Sequence, residues 1–107
     1  MKTVNRGEVW MIETSDGQKP FLVVSNQQRN RNLTTVICVR ITTSPNRPNI
    51  PSVVPIESRD GVVVGRVLCD TLSEVHKDKL VRRMSNAFTP GEMRRICDGL
   101  SAAVGCG

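Results

Sequence analysis

Lys19, Arg40, Thr42 and Asp70 are the residues of this chain whose types and positions are suited to chemistry. In the stretch TTVICVRITTS (34–44), strand alternation puts Val36, Cys38, Arg40 and Thr42 on one face. That face turns from apolar to cationic and then hydroxylic, which suits the rim of a cleft. Lys19 sits before Pro20 at the head of the apolar run PFLVVS (20–25), the next strand over in a meander. Asp70 interrupts the apolar run VVVGRVLCDT (62–71). The polar stretch NQQRNRN (26–32) adds amides and guanidiniums. Cations, hydroxyls and amides of this kind suit phosphates and base edges. They equally suit solvent: Arg40 can snorkel to water, Thr42 can pair across a sheet, and Asp70 can mark a strand end.

Other chemistries find little support. GxSxG, HExxH and a phosphate-binding glycine loop are missing from the sequence. His76, the single histidine, stands among charges in HKDKL and reads as a surface residue. The four cysteines, Cys38, Cys69, Cys97 and Cys106, are spaced by 31, 28 and 9 residues, without a CxxC pair. This argues against zinc, and the first three sit in apolar patterns as small hydrophobes. The formal charge of +5 fits a polyanionic partner and also fits simple solubility.

The elements that must position these residues follow from patterning. GEVWMIE (7–13) alternates as a strand, and TSDGQ (14–18) is turn chemistry. The run 20–25 reads as a central strand with Pro20 at its first position. NQQRNRNL (26–33) reads as a polar connection, 34–44 as the longest strand, and SVVPIE (52–57) as an edge strand interrupted by Pro55. SRDG (58–61) is a turn, and 62–71 a strand with a bulge or bend at Gly65. A helical turn over HKDKL (76–80) and a short strand over VRRMS (81–85) come next. FTPGEMRRICDGLSAAVG (88–105) has Thr89 as N-cap, Pro90 in the first turn, Glu92 to close a capping box and Gly105 to end the helix. Five or six short strands and one terminal helix predict a mainly β, α+β fold. It is one domain over 1–107, a small antiparallel barrel capped by the helix. The absence of a signal peptide or a long apolar run predicts a cytoplasmic protein outside the membrane.

The blocks NRGEVWMIE, KPFLVVSN, VICVRITTS and VLCDTLSEV, followed by the terminal amphipathic helix, resemble the MazF/PemK toxins of bacterial toxin–antitoxin modules across essentially the whole chain. The resemblance implies an SH3-like barrel that forms a homodimer and cuts single-stranded RNA without metal or other cofactor. It implies attack of a ribose 2′-OH on the adjacent phosphorus, leaving a 2′,3′-cyclic phosphate and a 5′-hydroxyl. A cognate antitoxin with an acidic flexible segment is the implied protein partner. Carried onto this sequence, the implied catalytic residues are Lys19, Thr42 and Asp70. The implied RNA-binding residues are Gln18, Asn26, Gln28, Arg29, Arg40, Thr43 and Thr71. The chain departs from the family pattern in three places. Lys19 stands where the family has arginine, Leu68 replaces the arginine of an Arg-Cys-Asp triplet, and Ser73 holds another arginine position. The TSDGQ loop is also shorter than is common in the family. Two other readings share the barrel: a CcdB-like gyrase poison, which the Ala-Ala-Val-Gly-Cys-Gly ending opposes, and a catalytically degenerate antitoxin-binding module.

Overall fold

The computed structural model describes residues 2–57, 61 and 63–105. Six strands run in chain order: β1 Val9–Thr14, β2 Gly17–Val23, β3 Thr35–Thr42, β4 Val53–Glu57, β5 Val63–His76 and β6 Leu80–Arg83. Two helices, α1 Gln27–Asn32 and α2 Pro90–Val104, join them. All the pairings are antiparallel, in the spatial order β4-β5-β3-β2-β1-β6. The expected antiparallel architecture with a C-terminal helix is therefore present. Among the described residues the ladder stays open, with β4 and β6 as its edges.

Both faces of the sheet are covered, which is why strand alternation here separates two apolar sets. One cluster joins Val9, Leu22, Val39, Val54, Val67 and Cys69 to Met93 and Ile96 of α2. The other, on the opposite face, joins Trp10, Ile12, Val23, Val36 and Cys38 to Val4 and Leu80. Helix α2 forms as its sequence dictates. Thr89 and Glu92 make the reciprocal capping box, and Gly105 ends the helix in the left-handed conformation at φ 75°. Gly99 lets α2 settle onto the sheet. A Cβ there would stand 2.7 Å from Val54 Cγ2 and 2.8 Å from Cys69 Sγ, inside the buried core.

The polar stretch 26–33 is not an irregular connection. It contains helix α1, capped by Asn26, whose side chain accepts from the Arg29 N–H at 2.8 Å. Strand β5 also runs on to His76, five residues beyond its expected end. A bulge makes this possible. Cys38 pairs with Ser73, yet Arg40 pairs with Leu68, so residues 69–72 are accommodated out of register. Thr71 closes the bulge: its hydroxyl donates to Leu68 O at 2.6 Å and accepts the Arg40 N–H at 2.8 Å. The register shift expected near Gly65 falls beside it, between the pairs Ile56↔Gly65 and Glu57↔Val63. The expected turn over 58–61 lies, apart from Gly61, outside the described residues, as does Cys106.

Pro20 occupies the fourth position of β2 rather than the first. Its tolerance has a local cause. Val23 donates toward Glu8 of the β1 side and Val24 toward Ile37 of the β3 side. Backbone donors alternate along a strand, so the donor that Pro20 lacks belongs on the β3 side. The β2–β3 ladder stops there, its last pair being Phe21↔Arg40. Beyond Pro20, β2 pairs with β1 alone, down to Thr14↔Gly17. Only Ser15 and Asp16 remain in the turn, and Gly17 at φ 96° reverses the chain.

Candidate functional site

The end of the β2–β3 ladder is where the polar side chains gather. Phe21 pairs with Arg40, and strand alternation puts Lys19 on the Phe21 face of β2 and Thr42 on the Arg40 face of β3, just past the last pair of the ladder. Thr42 in turn pairs with Arg66 of β5, and Arg40 with Leu68. Arg40, Thr42 and Arg66 thus share one face of β3 and β5, and Lys19 lies on the matching face of β2 just beyond the point where the β2–β3 pairing ends. This face continues that of the Trp10–Ile12–Val23–Cys38 cluster, with Phe21 packed at the boundary. This matches the apolar-to-cationic gradient read along 34–44.

Two details give the group its character. The Nε of Arg40 is buried and has no hydrogen-bond partner among the described residues. A buried donor left unpaired costs stability, commonly ~1–3 kcal/mol, unless a ligand supplies the acceptor. Arg66 is steered by a weak contact from its Nη1 to Ser44 O at 3.4 Å, and Thr42 Oγ1 accepts the Ser44 N–H at 3.1 Å. The segment following β3 is thereby folded back onto the group. Such an arrangement suits a phosphodiester: three cations lie on one face and a hydroxyl can supply a neutral hydrogen bond.

Other residues named from sequence fall in different places. Gln18 is exposed beside Lys19, opposite Glu13 in the hairpin, and Thr43 is exposed just past Thr42. Asp70 is exposed within the β5 bulge, two residues beyond the partner of Arg40. Thr71 spends its hydroxyl on the bulge itself. Asn26, Gln28 and Arg29 lie in or before α1, at the Thr35 end of β3. Seven residues of strand separate Thr35 from Thr42, which is roughly 23 Å. The structure does not bring these three to the Lys19 group. Asn26 is a helix cap. Arg29 is held by Thr35 O at 2.8 Å, Thr35 Oγ1 at 3.0 Å and Glu74 Oε2 at 3.0 Å. Arg66 is the residue that the sequence reading did not single out. Strand alternation alone sets it on the same face of β5 as Leu68, but only the β3–β5 register puts it opposite Thr42.

Three buried groups, Cys38, Cys69 and Glu8, belong to the framework rather than to the chemistry. Burial pushes the Cys38 thiol up to about 12. Burial, with Asp70 and Cys97 nearby, pushes Cys69 up to about 11. Both stay protonated at neutral pH. Burial also works against the Glu8 carboxylate. Hydrogen bonds from the Asn5 backbone, Trp10 Nε1, the Asn5 side chain and Arg83 outweigh it and hold Glu8 below its ordinary value. Among the described residues no cluster of three His, Cys, Asp or Glu side chains is arranged to hold a metal ion.

Comparison with known proteins gives a consistent result. Residues 5–104 match the family model of the PemK-like, MazF-like toxin of type II toxin–antitoxin systems. The chain is 36% identical over 100 residues to Endoribonuclease MazF1 of Mycobacterium bovis and to Endoribonuclease MazF4 of Mycobacterium tuberculosis, covering 94% of this chain and 91% of each relative. Among solved structures, an endoribonuclease in complex with its cognate antitoxin from a mycobacterial species superposes with a TM-score of 0.85 at 35% identity, over 97% of both chains. A MazE–MazF complex from Deinococcus radiodurans has a TM-score of 0.77 at 18% identity, over the full length of both chains, and shares the fold.

Proposed function

This chain belongs to the PemK-like, MazF-like toxins of type II toxin–antitoxin systems, and from that premise we propose that it is an endoribonuclease that cleaves single-stranded RNA at the Lys19–Thr42–Arg66 group. The observation that supports this reading is the shared sheet face of these residues and Arg40 near the point where the β2–β3 ladder ends. In the proposed reaction the 2′-OH of one nucleotide attacks the adjacent phosphorus and the bond to the 5′-oxygen breaks. One proton leaves the 2′-OH and one reaches the departing 5′-oxygen, giving a 2′,3′-cyclic phosphate and a 5′-hydroxyl.

The pentavalent phosphorane carries more negative charge than the diester. Fixed cations that meet this added charge lower the barrier. Arg40 and Arg66 hold the non-bridging oxygens, and the unpaired Arg40 Nε acquires its acceptor there. Lys19 keeps the charge of the family's arginine without its planar fork, and its ammonium can also pass a proton. Thr42 fixes the diester for in-line attack. Asp70, exposed in the β5 bulge two residues beyond the partner of Arg40, is the carboxylate assigned to take the 2′-OH proton. Gln18 and Thr43 flank the group and contact the neighbouring nucleotides. The chain works as a homodimer in the cytoplasm, and a cognate antitoxin blocks the same cationic face with an acidic segment.

The test is cleavage of a short single-stranded RNA by purified protein, with product ends assigned by whether they accept a 5′-phosphate directly. Lys19→Ala and Thr42→Val are each expected to lower the rate by roughly 10²–10³, the usual effect of removing one transition-state donor. Their circular dichroism and melting should remain those of the parent. A Lys19→Ala protein cutting at the parental rate would remove Lys19 from the mechanism. A folded parent that cuts no RNA would remove the activity.

A further inference from the structure

The far end of the sheet carries a second basic feature, apart from the Lys19 face. A cavity of about 400 Å³ is lined by Lys2, Thr3, Val4, Asn5, Gln27, Asn30, Arg31 and Lys77. Three of these are cations and none is a carboxylate. Lys77 is only 3% exposed. Its Nζ donates to Asn30 O, which uses one of its three donors among the described residues. The nearby carboxylates are committed elsewhere. Glu8 is bound by Asn5, Trp10 and Arg83, and exposed Asp78 stands 3.4 Å from His76 Nδ1.

A buried ammonium that makes no ion pair among the described residues is costly, and two further cations in the same cavity add repulsion. The architecture nonetheless holds Lys77 firmly in place. Its backbone N–H donates to Thr34 O at 2.9 Å, and the Asn30 that receives its side chain is itself locked to Ser25 O at 3.0 Å. Lys2 caps the same turn through the carbonyls of Leu80 and Lys77. Arg31, in the last turn of α1, brings a planar guanidinium to the wall. An anion with several oxygens meets such a set better than a monovalent ion, because ammonium and guanidinium donors approach it from different sides. The volume exceeds that of a bare phosphate and lies at the small end of ligand pockets.

We propose that this cavity binds a small phosphate monoester of nucleoside-monophosphate size. The phosphoryl group sits against Lys77, Arg31 and Lys2, and the remainder of the molecule lies along Asn5 and Gln27. The site is separate from the Lys19 group, since α1 and Lys77 lie at the Thr35 end of β3. It does not depend on the cleavage reading.

Amide chemical-shift titration of the whole protein tests it, with adenosine 5′-monophosphate, inorganic phosphate and adenosine as probes. The monophosphate should give saturable shifts confined to residues 2–5, 27–31 and 77. Inorganic phosphate should shift the same amides more weakly, and adenosine none. Lys77→Gln should weaken the monophosphate by about tenfold or more and Arg31→Ala by about fivefold, as expected for lost charge-assisted bonds. Lys19→Ala should bind it as the parent does. If Lys77→Gln does not fold, exposed Arg31 decides alone, and parental affinity in Arg31→Ala overturns the proposal. So does an adenosine response equal to that of the monophosphate, a response centred on Lys19 and Arg66, or no response up to about 10 mM, where binding of ~3 kcal/mol would still register.

Discussion

Arg40 and Arg29 are both partly buried arginines on or beside β3, and their circumstances are opposite. Arg29, at the α1 end, meets a backbone carbonyl, a hydroxyl and a carboxylate within 3.0 Å. Arg40, where the β2–β3 ladder stops, keeps a buried Nε with no partner among the described residues. The same contrast extends to their surroundings. At the α1 end, Glu8, Asn5, Gln27, Ser25 and Asn30 engage one another in mutual hydrogen bonds. At the ladder's end, Lys19, Thr42 and Arg66 share a face with few such bonds. Hydrogen-bond commitment, rather than charge, separates Arg29, whose guanidinium is spent on the fold, from Arg40, whose Nε has no acceptor among the described residues.

This contrast can be broken by substitution. The largest effect should come from the open group. Arg40→Met and Arg66→Gln are each expected to slow RNA cleavage roughly ten- to a hundredfold, the loss of one or two charge-assisted bonds in the transition state. Arg40→Met should leave the melting temperature unchanged or raised, because it removes an unpaired buried donor. A large loss of stability there would reverse the assignment.

Next comes Glu8→Ala, which strands Trp10 Nε1 and the Asn5 N–H. It should cost about 2 kcal/mol in denaturant unfolding while the folded enzyme cuts RNA normally. The sign of its pH dependence follows from the depressed carboxylate. The stabilisation is present above the ordinary value of 4.5 and is lost as the pH falls through the lower folded value. The acid limb of a stability profile should therefore be shallower in Glu8→Gln than in the parent.

Smallest is Arg29→Ala. Its partner Glu74 is largely exposed, so the ion pair contributes little, and the change should cost about 1 kcal/mol with no change in cleavage rate. A cleavage defect in folded Arg29→Ala would mean that RNA reaches the α1 end.

The sequence was legible where the physics is local. Alternating apolar residues announced the strands, and Thr89, Pro90 and Glu92 announced α2. Helix α1 was hidden because NQQRNRN has no apolar period. It is held by the Asn26 cap and by buried Asn30, which lies 1% exposed under Lys77. The length of β5 was hidden because Thr71 absorbs the extra residues through bonds to Leu68 and to Arg40, 31 positions away. In the candidate site, Lys19, Arg40 and Thr42 were visible from alternation and from the family resemblance. Arg66 was not, since its pairing with Thr42 is fixed by the β3–β5 register, across the whole 43–65 connection. The bonding of Arg29 was hidden for the same reason: Glu74, its carboxylate partner, is 45 residues distant.

The two-residue turn at Ser15 and Asp16 has a kinetic consequence. It is too short to fold over anything lying on the adjoining face, so a nucleic acid strand arriving there meets a surface already in its final shape. This turn offers no flap to be frozen on arrival, so the entropy that ordering one there would consume is not lost. Encounter is then governed by long-range attraction between charges, so the association rate should fall steeply as ionic strength rises.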